Sequence, residues 1–425
     1  MTNSHINNNA LRKIIILFIV VFSTIEVSAQ VSSIRVMSWN LLNWPVTSSA
    51  VSDSSTRCPN YRTVLNEVRP DILVTQENAA TYSTTWFLNC ALNANGNEYS
   101  QGSYIHGYDT NNGIFYKDSL FQFVSNTRIR TALRDINEFK LVFKETGDTL
   151  RIYSVHLKAS SGSQNEASRA AEVDSLRKFT NQLPYGTDFI VCGDFNIYET
   201  FESAFLKLLQ VNAFDEGYFI DPINLQDTSW NKSIYRQHHT QSTHDQQSGG
   251  FVGGGLDDRF DMILISEAVS APTGVYYVGG STTPYGNDGN HFNKAINDGF
   301  NYAVSAAVAN ALFGASDHLP VFAQFDIGPT SGFYDRETEL MDLVVFPNPT
   351  TTTAYVEFTS SGSAKIEIAI TDISGKTVYS WKGMNHFRGR LKKEISEVRN
   401  FDPGIYFLSV STNKSLINRK LIVID

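Results

Sequence analysis

Only three cysteines occur in 425 residues, and none of them stands at zinc-ligand spacing. Cys192 closes a hydrophobic run, Phe189 to Cys192, that reads as a buried strand. At most one internal disulfide is therefore available, and Cys58 with Cys90 is the expected pair. Basic residues are also short: 34 Lys and Arg face 43 Asp and Glu, for a net charge of -9. This excludes a protein that grips nucleic acid through a broad basic face, because counterion release needs many cations near phosphates. An acidic chain can still act on a polyanion where a divalent cation neutralises phosphate locally, which directs attention to clustered carboxylates. No apolar run reaches the roughly 20 residues that a membrane-spanning helix requires. No internal repeat stands out, and 42% hydrophobic with 18% charged residues excludes a disordered chain.

At the N-terminus, Arg12 and Lys13 precede the apolar run Ile14 to Phe22 and the small residues around Ser28 and Ala29. This is the pattern of a secretory signal over residues 1–29, cleaved after Ala29. The length of the rest favours two folded units. Strands are predicted at Ile34 to Ser38, Asp71 to Thr75, Gly113 to Tyr116, Arg151 to His156, Phe189 to Cys192, Phe260 to Ile265 and Val321 to Phe325. Helices are predicted at Tyr61 to Val68, Glu166 to Leu183 and Tyr302 to Leu312. The fold class is α/β, a two-sheet β-sandwich flanked by helices over residues 30–327. A linker at 328–341 leads to a small all-β sandwich at 342–425. Gln237 to Gly255 and Gly279 to Gly299 read as long surface loops. Within the first, Gly249 to Gly255 lacks phosphate-loop spacing and reads as a flexible lead-in, and His238, His239, His244 and Asp245 read as solvated residues rather than a zinc site.

Five of these segments end in polar clusters: Ser38-Trp39-Asn40, Gln76-Glu77, Ser154-Val155-His156, Gly193-Asp194-Phe195-Asn196 and Ser316-Asp317-His318. Each alone is a weak signal, since polar pairs after strands are commonly turns. Together they meet the needs of metal-assisted phosphodiester hydrolysis: hard oxygen ligands for Mg²⁺ or Mn²⁺, a base near neutral pKa and donors for charge on phosphorus. Asn40 and Glu77 supply oxygen ligands, and His318 can take a proton from water. Asp194, Asn196 and His156 can orient the nucleophile or bind phosphate oxygens, and Asp261 can hold His318 in one tautomer.

From Ile34 to Phe325 these motifs resemble the endonuclease/exonuclease/phosphatase superfamily, the deoxyribonuclease I-like fold. The resemblance is carried by Trp39-Asn40, Gln76-Glu77, His156-Leu157, Gly193 to Asn196, Asp261 and Ser316 to Pro320. It implies that Asn40 and Glu77 bind the metal with Asp317 nearby, that Asp194 and Asn196 position water and phosphate, and that Asp261 and His318 form the base pair. His156 matches members with a second histidine, which points away from abasic-site repair. Arg134 is the candidate for a phosphate-contacting arginine, against the plainer reading of a surface salt bridge.

The final segment, with Phe346-Pro347-Asn348-Pro349, Asp372 to Lys376 and Pro403 to Phe407, resembles the type A sorting domain of the type IX secretion system. It implies the secretion machinery as a partner and a secreted or outer-face location on the outer membrane. The expected function is a secreted phosphodiesterase, a nuclease acting on DNA or RNA. The alternatives are a sphingomyelinase-like or inositol phosphate phosphatase, with Val275 to Val278 and Tyr285 as a membrane-touching loop against the commoner reading of such a run as core strand, and a non-catalytic surface binding module.

Overall fold

The computed structural model describes residues 31–45, 54–184, 186–211, 216–271, 274–328, 340–360, 364–385, 389–412 and 416–424. The expected signal at 1–29 and most of the expected linker lie outside the described residues. The first unit runs β1 (Ser32–Trp44), α1 (Ser54–Val68), β2 (Ile72–Asn78), α2 (Ser83–Phe87), β3 (Tyr99–Gln101), β4 (Asn111–Lys117), β5 (Phe121–Ile129), β6 (Ile136–Phe143), β7 (Thr149–His156), α3 (Ser163–Thr180) and β8 (Phe189–Asp194). It continues with α4 (Ser203–Leu209), β9 (Asp261–Ile265), α5 (Glu267–Ser270), β10 (Val275–Tyr277), β11 (Thr283–Pro284), α6 (Ala306–Ala315) and β12 (Val321–Ile327).

One sheet has the order β10-β12-β1-β2-β4-β3 with β11 also on β12, and the other has the order β5-β6-β7-β8-β9. Because side chains alternate across a strand, each sheet offers two faces. Ile34, Val36, Ile72, Val74 and Ile114 of the first sheet pack on Phe139, Leu141, Ile152, Ile190, Cys192 and Ile263 of the second. The opposite face of the first sheet, with Met37, Trp39, Leu73 and Phe115, is covered by α1 and α6 through Tyr61, Val64, Val308 and Leu312. That of the second, with Tyr153, Val155, Val191 and Leu264, is covered by α3 and α4 through Val173, Leu176, Phe205 and Leu208. Each fully buried aliphatic side chain contributes about 1.5 to 3 kcal/mol.

The same alternation builds the site. On β1 the inward series Ile34, Val36 continues as Ser38 and Asn40; on β7, Ile152 continues as Ser154 and His156; on β8, Ile190 and Cys192 continue as Asp194. Register brings the polar ends together: Asn40 pairs with Gln76, His156 with Asp194, and Asp194 with Asp261. At the apolar end, Val275 of β10 donates its N–H to Asp188 Oδ2 at 3.2 Å, tying the two sheets together just before β8.

The expected Cys58–Cys90 disulfide is present, and Cys192 is a buried free thiol. Every predicted strand appears. The edge hairpin β5–β6 and the short β3 were not foreseen, since β5 is largely half-exposed and its sequence gives no clean apolar alternation. Helix α6 begins at Ala306, four residues later than expected, because Ser305 caps it through the Val308 N–H. Val275 to Tyr277 is a strand antiparallel to β12, the commoner reading of such a run, and not a membrane-touching loop. The segment 279–299 is irregular but not superficial, since His291 and Ile296 are buried.

The C-terminal unit has two sheets, β13-β14-β17 and β16-β15-β18-β19, from β13 (Leu340–Phe346), β14 (Ala354–Ser360), β15 (Ala364–Asp372), β16 (Thr377–Asn385), β17 (Gly389–Ile395), β18 (Gly404–Ser411) and β19 (Leu416–Val423). Val356 and Phe358 of one sheet face Ile368, Ile370, Leu408 and Val410 of the other, an all-β sandwich as expected. Among the described residues no helix is long and apolar enough to cross a membrane, which says nothing of a β-barrel.

Burial pushes Asp188 up from its ordinary range to about 7, against the opposing pull of the Val275 N–H. A carboxyl raised in the folded state is a liability once ionised, so stability falls as pH rises from the unfolded value through 7. Asp188→Asn keeps an acceptor for Val275 and removes the charge. Its melting temperature at pH 8 should exceed that of the wild type by an amount on the order of 1–2 kcal/mol in stability, allowing for partial exposure, with little gain at pH 4.5. Equal changes at both pH values would show that the carboxylate is not the strained group.

Candidate active site

The polar ends of both sheets meet in one cluster. Asn40 Nδ2 donates to Glu77 Oε1 at 3.0 Å and to Asp194 Oδ2 at 3.1 Å, bridging the two sheets. Its oxygen accepts the Leu42 N–H at 3.0 Å, which fixes the amide orientation. The amide therefore holds the two carboxylates together, and its oxygen is turned away from them. Glu77 Oε2 accepts the Asn43 N–H at 2.8 Å, and Leu42, Asn43 and Glu77 all have positive φ, so local backbone strain is concentrated here. Arg57 of α1 fastens this corner. Its guanidinium donates to the carbonyls of Leu41, Leu42 and Ala315, linking the end of β1 to the turn that carries Asp317.

On the other side, His318 Nδ1 lies 2.7 Å from Asp261 Oδ2, and its Nε2 lies 3.7 Å from Asp194 Oδ2. Burial opposes the charged imidazole, but Asp261 and Asp194 overcome it and hold the His318 pKa well above its ordinary value. His156, whose Nε2 is 3.5 Å from Asp194 and 3.7 Å from Glu77, goes the other way. Burial, with the charges of Arg134 and His318, lowers it well below the usual range. The two histidines thus differ in charge. The sequence named no acidic partner for His156, and among the described residues its Nδ1 has none.

Asp194 is 2% exposed and Asp317 1% exposed. Burial raises both; His318 lowers them, while Asp261 and Glu77 push Asp194 further, to about 7, and Glu77 pushes Asp317 up. The ion-pair partners of Asp194 and Glu77 among the described residues are histidines rather than Lys or Arg, and Asp317 Oδ1 has no hydrogen-bond partner. Buried carboxylates with an unfilled oxygen and no Lys or Arg as counter-charge fit a hard divalent cation. No group of three or more His, Cys, Asp or Glu already stands at metal-ligand spacing among the described residues.

Asn196 donates from Nδ2 to Leu157 O at 3.2 Å, and its N–H reaches Asp194 Oδ1 at 3.0 Å. Arg134 forms the salt bridge that the plainer reading expected, 3.0 Å to Asp109, yet its other arm reaches the same Leu157 carbonyl at 3.3 Å. It therefore stands beside the cluster, within electrostatic reach of His156.

Two participants were missed. Gln241 Nε2 is 2.7 Å from His318 Nε2, and the Val252 N–H bonds Asp317 Oδ2 at 3.0 Å. Both come from the segment read as solvent-exposed. Gly255, at φ +82°, passes so close to Asn293 that a Cβ would lie 2.2 Å from its carbonyl carbon, so this is a fitted turn rather than a flexible lead-in. His239 is buried between the Trp230 and Leu256 carbonyls, and His244 stacks on Phe251 and Phe313. Neither is the solvated residue that was expected, because aromatic packing supplies the burial that a polar sequence conceals.

The family model for the endonuclease/exonuclease/phosphatase family matches residues 37–318, and that for the secretion system C-terminal sorting domain matches residues 344–424. Similar solved structures include D. rerio TDP2 complexed with single strand DNA product, at 18% identity and TM-score 0.44, covering 69% of this chain and 99% of that one. The human Nocturnin catalytic domain with bound sulfate anion is similar at 20% identity and TM-score 0.41, covering 71% and 98%. An endonuclease/exonuclease/phosphatase family protein from Bacteroides thetaiotaomicron is similar at 18% identity and TM-score 0.43, covering 71% and 100%. No curated protein matches the chain. With its catalytic fold and its sorting tail both accounted for, the chain belongs to the endonuclease/exonuclease/phosphatase family of phosphate-ester hydrolases and carries a type IX sorting domain that marks it as secreted or attached at the cell surface.

Proposed function

We propose that this protein is a divalent-metal-dependent phosphodiesterase that hydrolyses DNA or RNA outside the cell. The observation that carries the reading is the placement of buried, uncompensated carboxylates opposite a His–Asp dyad, in one cluster at the polar end of both sheets. Glu77 and Asp317, with Asn40 beside them, would hold Mg²⁺ or Mn²⁺. When bound, the ion supplies charge neutralisation on the scissile phosphate. Residues 30–327 form the catalytic unit in this reading and 342–425 the sorting unit, which the secretion machinery handles and either removes or leaves for attachment.

The remaining steps belong to the chain. Asp261 accepts the Nδ1–H of His318, so Nε2, once it has lost its own proton above the raised pKa, is the atom that takes the proton from water. Asp194, 3.7 Å from that nitrogen, orients the water, and Gln241 must give up its contact with Nε2 for the water to enter. Asn196 and the neutral His156 face the phosphate as donors, and Arg134 adds positive charge at the rim. Attack in line with the 3′ oxygen leaves a 5′-phosphate product and needs no covalent intermediate.

Plasmid DNA, RNA and sphingomyelin vesicles offered to the mature chain with Mg²⁺, Mn²⁺ or excess chelator test this reading. Nucleic acid should be cut, chelator should abolish cutting, and His318→Ala or Glu77→Ala should slow it by roughly 10²–10⁴-fold. Intact nucleic acid with cleaved lipid would transfer the same machinery to a phospholipase.

A second test concerns the sign of the His318 shift. Asp261 raises the imidazole pKa, so Asp261→Asn lets it lose its proton at lower pH. The acidic limb of the kcat/KM profile should move to lower pH by about one unit while the plateau falls. An acidic limb that stays in place would remove His318 as the titrating base.

A further inference from the structure

Beside the catalytic cluster lies a cleft of 760 Å³ between the β5–β6 turn and the first half of α3. Arg130, Leu133, Lys158, Asn165, Ser168 and Glu172 line it. Its volume is that of a site for a small organic ligand, about 300–1,000 Å³. The cleft adjoins the reaction centre through the backbone. Lys158 follows His156 by two residues, at most about 7 Å along the chain. Leu157 between them offers one carbonyl to both Asn196 of the cluster and Arg134 of the turn.

Glu172 is the unusual member. It is only 2% exposed, yet it sits on a helix face that lines a cleft. One oxygen accepts the Lys158 N–H at 2.9 Å, and the other, Oε1, has no partner. A buried acceptor left unsatisfied is costly to the fold. Burial pushes this carboxyl up to about 7, with the Lys158 N–H and the charges of Arg134, Arg169 and Lys158 working the other way. The cleft therefore combines an unfilled buried acceptor at its floor, apolar side chain along its wall and cations at its edge.

We propose, building on the nuclease reading, that this cleft is a base-binding subsite flanking the scissile phosphate, in which Glu172 accepts N–H groups from the edge of guanine. A flat ring fits against Leu133 and the small side chains of α3, while Arg130 and Lys158 face the adjoining phosphate. Guanine is the base that turns two N–H donors on neighbouring atoms toward a carboxylate; uracil and thymine turn one, flanked by carbonyl oxygens that the carboxylate repels. The subsite reads a base next to the cut, so it sets where a chain is cleaved rather than whether it is.

The test uses the full mature chain and two readouts. Calorimetric titration with GMP, AMP, CMP, UMP and inorganic phosphate should show GMP binding tightest. Glu172→Gln, which turns an amide N–H₂ toward the base, should weaken GMP at least 10-fold without weakening phosphate. Ala171→Trp, an exposed position on the same wall, should block GMP while leaving the helix packed. Mapping of cut positions on mixed-sequence oligonucleotides should then show a guanine bias in the wild type that both variants lose, at a similar total rate. Equal affinity for the four nucleotides, binding of phosphate alone, or a cut pattern unchanged in Glu172→Gln would overturn the proposal. Selective GMP binding without any cleavage of nucleic acid would leave the subsite standing and remove the nuclease reading beneath it.

Discussion

Face-to-face packing of two sheets forces every second side chain of their strands into one dry layer, and the rest of this molecule follows from how that layer is filled. For most of its depth it is aliphatic and aromatic, which holds the sheets together. Over the last one or two inward positions of β1, β2, β7, β8 and β9 the same layer turns polar. The strands deliver Asn40, His156, Asp194 and Asp261 by continuing the alternation that packed the core, and a one-residue slip in any of them would send its functional residue to the helix-covered face.

Putting carboxylates there is expensive, and the surroundings show how the cost is met. Asn40 ties Glu77 to Asp194, His318 bonds one oxygen of Asp261, and Val252 lends a backbone N–H to Asp317. What stays unsatisfied is negative charge of the kind a hard cation relieves. Burial disfavours the charged form of both histidines, and neighbouring charges decide which keeps its proton. His318 lies between two carboxylates that outweigh burial, whereas for His156 the charges of Arg134 and His318 add to it.

Much of this was legible because the period of two survives in the sequence. Ile152-Tyr153-Ser154-Val155-His156 announces both a strand and its polar end, and the recurrence of such ends, each ordinary alone, identified the cluster and the family. Four things escaped. The β5–β6 hairpin carries mixed polar residues on a partly exposed edge, where nothing enforces alternation. Gln241 and Val252 reach the site from an aperiodic segment, whose path depends on Gly255 passing Asn293 at close range rather than on any local pattern. His239 and His244 read as solvated because their neighbours in sequence are polar, while their neighbours in space are Phe251, Phe313 and backbone carbonyls. The amide orientation of Asn40 was equally hidden, since it is decided by one backbone N–H two residues away.

The disulfide joins Cys58 to Cys90 across a sequence separation of 32, a closure that removes unfolded-chain entropy equivalent to about 3–4 kcal/mol. Cys58 stands next to Arg57, whose guanidinium fastens β1 to the approach of Asp317. Such a bond forms in an oxidising compartment and is kept open in a reducing one. The corner that aligns the reactive carboxylates is therefore braced by this bond only after the chain has left the cytoplasm, so that a phosphate-ester hydrolase matures away from the phosphate esters of the cell that makes it.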